Sequence, residues 1–189
     1  MQVVSCQVVT SVMRSMLIFA FVWIANGSFG DEPKRDIAYD TKHERDVLDF
    51  WPAVARDGPA PVFVWFHGGG FQTGDKSEFE KNRSAMLQAY QDAGFAVASC
   101  NYPLLSEDFD HLEIARHCAR AIQFVRSQSE NWEIDGARIV CGGASAGAII
   151  SEYLAYKDDY ADPESDDEVA RMSSRPNVVV SLWQPWRTK

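Results

Sequence analysis

A chain of 189 residues with 46% hydrophobic side chains holds enough apolar material for one buried core, and 27 acidic against 18 basic residues give a formal charge of −9. That acidity argues against nucleic acid or an anionic membrane surface as a partner, because both are held by clustered basic side chains. No Cys or His pair shows the spacing of metal ligands, which argues against a metal site.

Arg14 precedes an uninterrupted apolar run over residues 16–25, followed by Asn26-Gly27-Ser28-Phe29-Gly30 and the charged pair Asp31-Glu32. A basic flank, a short apolar run and small residues read as a secretory signal peptide over residues 1–30. Cleavage after Gly30 or after Gly27 fits, and Met13 is a candidate start. The run is short of the roughly twenty apolar residues that cross a bilayer. An uncleaved anchor is the competing reading; after cleavage no integral membrane segment is expected. The expected location is therefore exported, periplasmic or extracellular. Cys6 leaves with this segment, while Cys100, Cys118 and Cys141 sit among apolar neighbours and read as buried thiols.

Residues 36–39 and 46–51 are short alternating runs that predict an antiparallel hairpin. Gly58-Pro59-Ala60-Pro61 suits a turn before the buried strand 61–66, which runs into His67-Gly68-Gly69-Gly70. A glycine run at that point leaves backbone N–H groups free to face a developing oxyanion. Asp75, just after it, either fixes the loop by accepting backbone N–H bonds or is a solvated turn residue.

Residues 79–93 predict a helix ended by Gly94, residues 95–100 a strand, and residues 110–127 a second helix. Leu112, Ala115, Cys118, Ile122 and Val125 form the apolar face of that helix, and His111 and His117 read as surface or rim residues. Tyr102 falls at the end of its strand, where α/β sheets gather ligands, or packs simply.

Residues 137–142 predict a strand leading into Gly143-Ala144-Ser145-Ala146-Gly147 and then a helix over residues 146–157. A strand, a sharp turn and a helix around a serine form a nucleophile elbow. Only very small residues tolerate that turn at Gly143 and Gly147, and it lifts the Ser145 hydroxyl above the sheet, where it can attack a carbonyl. The acidic stretch 157–168 reads as a charged loop, and residues 177–183 as a further strand. Alternating strands and helices predict a doubly wound, mostly parallel sheet in one α/β domain over residues 31–189.

These motifs resemble the α/β-hydrolase superfamily. Within it the chain resembles the carboxylesterases with an HGGG loop, the hormone-sensitive-lipase-like and feruloyl or acetyl-xylan esterase-like branch. Phe71, Gly74-Asp75, Asn101-Tyr102-Pro103-Leu104 and Asp135-Gly136-Ala137-Arg138-Ile139 carry the likeness further. Ala148 and Pro103 depart from it, where many such esterases have glycine and arginine. The resemblance implies Ser145 as nucleophile and the N–H groups of Gly68, Gly69 and Ala146 as oxyanion hole, with His67 and Gly70 shaping the loop and no cofactor. It implies small or carbohydrate-linked esters as substrates.

That superfamily orders its triad serine, acid, histidine. Here His43, His67, His111 and His117 all precede Ser145, and the acidic residues after it fall in the charged loop. The expectation is a chain that holds about six of the usual eight strands, truncated before the acid and histidine. The alternative is an inactive hydrolase remnant or binding module.

Overall fold

The computed structural model describes residues 32–54 and 57–182, so the expected signal segment and Trp183 lie outside the described residues. The elements in chain order are β1 (Lys34–Ala38), β2 (Val47–Trp51), β3 (Ala60–Phe66), α1 (Ser77–Asp92), β4 (Ala96–Cys100), α2 (His111–Ser127), β5 (Ile134–Ala144), α3 (Ala146–Tyr156) and β6 (Val178–Leu182). The described strands form one sheet in the order β1-β2-β4-β3-β5-β6. β1 and β2 form the expected hairpin and β2 joins β4 antiparallel, whereas the β4-β3-β5-β6 stretch is parallel.

β3 sits near the centre because its Val, Phe and Trp residues bury both faces. Val62, Val64 and Phe66 face the larger core with Ile114, Cys118, Ile122 and Ile150 from α2 and α3. Phe63 and Trp65 face the other way, onto Phe79 and Leu87 of α1. Both helix boundaries read from sequence are met by specific groups. Asp110 caps α2 by accepting from the N–H groups of Leu112 at 2.7 Å and Glu113 at 2.9 Å. Gly94 ends α1 at φ +79°, which glycine adopts without strain.

The predicted face of α2 needs two corrections. Ala115, Cys118, Ile122 and Val125 are buried, but Leu112 is 52% exposed. His117 is no surface residue: it is 8% exposed, and its Nδ1 lies 2.7 Å from Oδ1 of Asp46, itself buried. This contact ties α2 to the chain just before β2. Cys100, Cys118 and Cys141 are buried free thiols, as expected.

Candidate active site

Parallel pairing of β3 with β5 sets Phe66 opposite Gly143, so the segments that leave these two strands emerge side by side at their C-terminal ends. Ser145 stands between β5 and α3 at φ 53° and ψ −113°. A non-glycine residue held at positive φ is strained, and here the strain turns the chain sharply enough to leave Ser145 exposed among buried neighbours. Its backbone N–H donates to the Leu182 carbonyl at 3.2 Å, and its carbonyl accepts from Ile149 N at 3.1 Å.

The demand for small residues is steric. A Cβ on Gly143 would collide with the backbone of Gly147, and one on Gly147 would collide with the Phe66 carbonyl oxygen. The start of α3 therefore lies directly against the end of β3.

The glycine run meets Ser145 as its sequence suggests. A methyl group on Gly68 would stand 2.9 Å from the Ala144 oxygen and 3.6 Å from Ser145 Cβ. The N–H groups of Gly68 and Gly69 donate to no protein group among the described residues. The N–H of Ala146 is the first of α3 and has no intrahelical acceptor. The Gly69 carbonyl turns back to accept from Gln72 N at 3.1 Å and Thr73 N at 3.2 Å, which folds the loop. Gly70 is exposed at φ +61° and shapes that turn.

His67 is 1% exposed and lies stacked on Tyr102 at 4.1 Å between ring centroids. Its Nδ1–H donates to the Gly68 carbonyl at 2.7 Å, and Nε2 accepts from the Arg45 guanidinium at 3.3 Å. Burial drives the ring toward its neutral form. The Gly68 bond opposes this and the Arg45 charge adds to it, so the pKa falls from 6.5 to about 4. A neutral ring with both nitrogens engaged supports the loop and has no lone pair to offer as a base.

Asp75 does hold the loop, although through the residues that follow the glycine run. Its carboxylate accepts from Ser77 N at 2.9 Å and from Asn101 Nδ2 at 2.9 Å. Burial raises its pKa, but these bonds and the Lys76 ammonium outweigh burial and hold it well below the carboxylate range. Tyr102 is fully buried and donates from its hydroxyl to the His67 carbonyl at 2.6 Å, so it packs and braces the loop. Lys76 is buried between Asp49 at 2.6 Å and Asp36 at 2.8 Å, and anchors the start of α1 to the hairpin.

Arg45 is the residue that sequence reasoning missed. Besides His67 it donates from Nε to the Tyr102 carbonyl at 2.8 Å and from Nη2 to the Gly74 carbonyl at 2.8 Å. One guanidinium thus clamps three points around the glycine loop. Among the described residues no histidine ring is hydrogen-bonded to Ser145: His117 pairs with Asp46, His43 Nδ1 accepts from Arg45 N, and His111 packs edge-on against Phe71. No group of three or more His, Cys, Asp or Glu among the described residues is arranged to hold a metal.

A serine elbow set against a glycine loop, at the C-terminal edge of a mostly parallel sheet with helices on both faces, defines an α/β-hydrolase. Residues 48–185 match the BD-FAE family, and the chain belongs to it. It is 31% identical over 153 residues to the carboxylesterase NlhH of Mycobacterium tuberculosis, a match covering 80% of this chain and 43% of that protein. The thermophilic esterase Est2 of the planctomycete Thermogutta terrifontis shares the fold at a TM-score of 0.64 and 22% identity, over 80% of this chain and 52% of that one. The acetyl ester-xyloside bifunctional hydrolase of Caldicellulosiruptor lactoaceticus superposes at a TM-score of 0.59 and 28% identity, over 71% of this chain and 48% of that one. The chain spans less than half the length of the curated relatives it matches.

Proposed function

We propose that this chain carries the nucleophile and the oxyanion hole of a serine carboxylic-ester hydrolase. The observation that carries the reading is the contact of Gly68 with the Ala144-Ser145 turn, which sets free N–H donors beside an exposed, strained serine. In the proposed reaction Ser145 Oγ attacks the ester carbonyl and forms a tetrahedral intermediate. The N–H groups of Gly68, Gly69 and Ala146 stabilise its oxyanion, a contribution of about 3 kcal/mol per donor in serine hydrolases. Collapse expels the alcohol and leaves an acyl group on Ser145, which water then removes.

The Ser145 proton needs an acceptor. His67 is committed to the loop, so the reading takes the base and its acid from outside the described residues. A direct test follows the hydrolysis of an activated acetyl ester by the wild-type chain and by Ser145→Ala, with and without added imidazole as a surrogate base. A rate that depends on Ser145 and rises with imidazole supports the proposal. Equal rates for both proteins under all conditions refute it.

The proposed substrates are small or carbohydrate-linked esters, the carbohydrate link supported by the likeness to the acetyl ester-xyloside hydrolase. The proposed location is outside the cytoplasm, supported by the basic flank and apolar run of residues 14–25. N-terminal sequencing of the exported protein tests the location: a start after Gly27 or Gly30 supports it and an uncut chain overturns it. Among the described residues no helix is long and apolar enough to cross a membrane.

A further inference from the structure

Beside the glycine loop, on the α1 side of the sheet, is a cleft of about 150 Å³ bounded by Trp65, Gly68, Gly69, Glu78, Asn82, Arg83 and Ala144. It opens next to the serine turn, since Gly68 and Ala144 both touch Ser145 or adjoin it. At Arg83 the helix α1 departs from helical geometry, with φ −137° and ψ 29°. The departure accompanies a guanidinium lying over the ring of Trp65 at 4.9 Å, and Trp65 is 2% exposed.

Arg35, Arg116, Arg120, Arg138 and Arg171 each pair with a carboxylate. Arg83 has no such partner among the described residues, and neither Glu78 nor Asn82 spends its side chain on a protein hydrogen bond there. The cleft therefore presents a donor fork, an acceptor carboxylate and an amide that can do both, over an aromatic base. Opposite charges on Arg83 and Glu78 give no net preference for an ionic group. A pair of neighbouring hydroxyls can donate to Glu78 and accept from Arg83 and Asn82, pairings that an alkyl chain cannot make. The volume matches about five water-sized groups, the scale of a small polyol or part of a sugar ring.

We propose that this cleft is the subsite that recognises vicinal hydroxyls on the substrate, with Arg83, Asn82 and Glu78 as its specificity-determining residues. The proposal rests on the esterase reading for its connection to Ser145, and its test does not require turnover. Methyl β-xyloside, glycerol and 1-pentanol are titrated in turn into the isotopically labelled full chain, following the Arg83 Nε–H and Asn82 side-chain amide signals by NMR.

The expected result is saturable shifts with the xyloside or with glycerol, and binding weakened at least fivefold in both Arg83→Met and Asn82→Leu. Preference for the xyloside identifies a sugar as the source of the hydroxyls, and preference for glycerol identifies a glyceride. Pentanol binding as tightly as either polyol, polyol shifts indifferent to both substitutions, or no shift at these signals would overturn the proposal. Phosphonate labelling of Ser145 is scored separately. A labelled serine beside a cleft that takes no polyol removes the subsite alone, and an unlabelled serine beside a cleft that does removes the esterase reading.

Discussion

Acid should loosen this protein through His67 well before its carboxylates protonate. The ring is 1% exposed, stacked on Tyr102 and hydrogen-bonded at Nε2 by the Arg45 guanidinium, and its pKa in the fold is about 4 against 6.5 in the unfolded chain. Between those values the unfolded state binds more protons than the native state, so stability is present in full above pH 6.5 and drains away as pH falls toward 4. At pH 5 the loss is about 2 kcal/mol, reaching about 3 kcal/mol once the native ring protonates. Asp75 has the same sign and a lower window, since its depressed pKa matters only below the ordinary carboxylate value.

Urea unfolding at pH 7 and pH 5, for the wild type and for His67→Asn, isolates the effect. The asparagine keeps a donor for the Gly68 carbonyl and cannot titrate, while the other three histidines contribute equally to both proteins. The wild type should lose about 2 kcal/mol more than the variant over this interval. Equal losses, or a larger loss in the variant, would show that His67 is not held neutral by the loop.

Gly147→Ala drives a methyl group into the Phe66 carbonyl and should cost about 3 kcal/mol or prevent folding, read from the urea midpoint. Arg45→Met removes the donor shared by His67, Gly74 and Tyr102. It should slow phosphonate labelling of Ser145 by about tenfold through a looser oxyanion loop and raise the His67 pKa in an NMR titration. Lys76→Met strands the buried Asp49 carboxylate and should cost about 3 kcal/mol, toward the low end for a broken buried pair, because Arg35 still reaches Asp49.

The elbow and the glycine loop were legible because their steric demands act within a few residues. Gly143 and Gly147 exclude a side chain for reasons local to the turn, and the same holds for the Asp110 cap and the Gly94 stop. Arg45 was not legible. It sits in a charged link that reads as solvated, and its three acceptors come from His67 at the head of the glycine loop, Gly74 just beyond that loop and Tyr102 after β4. His117 escaped for the same reason, since its partner Asp46 lies 71 residues away. Leu112 has the period of the apolar face but falls in the first turn of α2 and is left exposed there. No proline or glycine marks the bend at Arg83, so the cleft beside the glycine loop left no trace in the pattern of residue types.

The most direct test of Ser145 as the nucleophile is covalent labelling by a fluorophosphonate, with the modified peptide identified by mass spectrometry. The account predicts one adduct, on the peptide that contains Ser145, absent from Ser145→Ala and slowed in Arg45→Met. An adduct elsewhere, or labelling of the wild type no greater than that of Ser145→Ala, would contradict it.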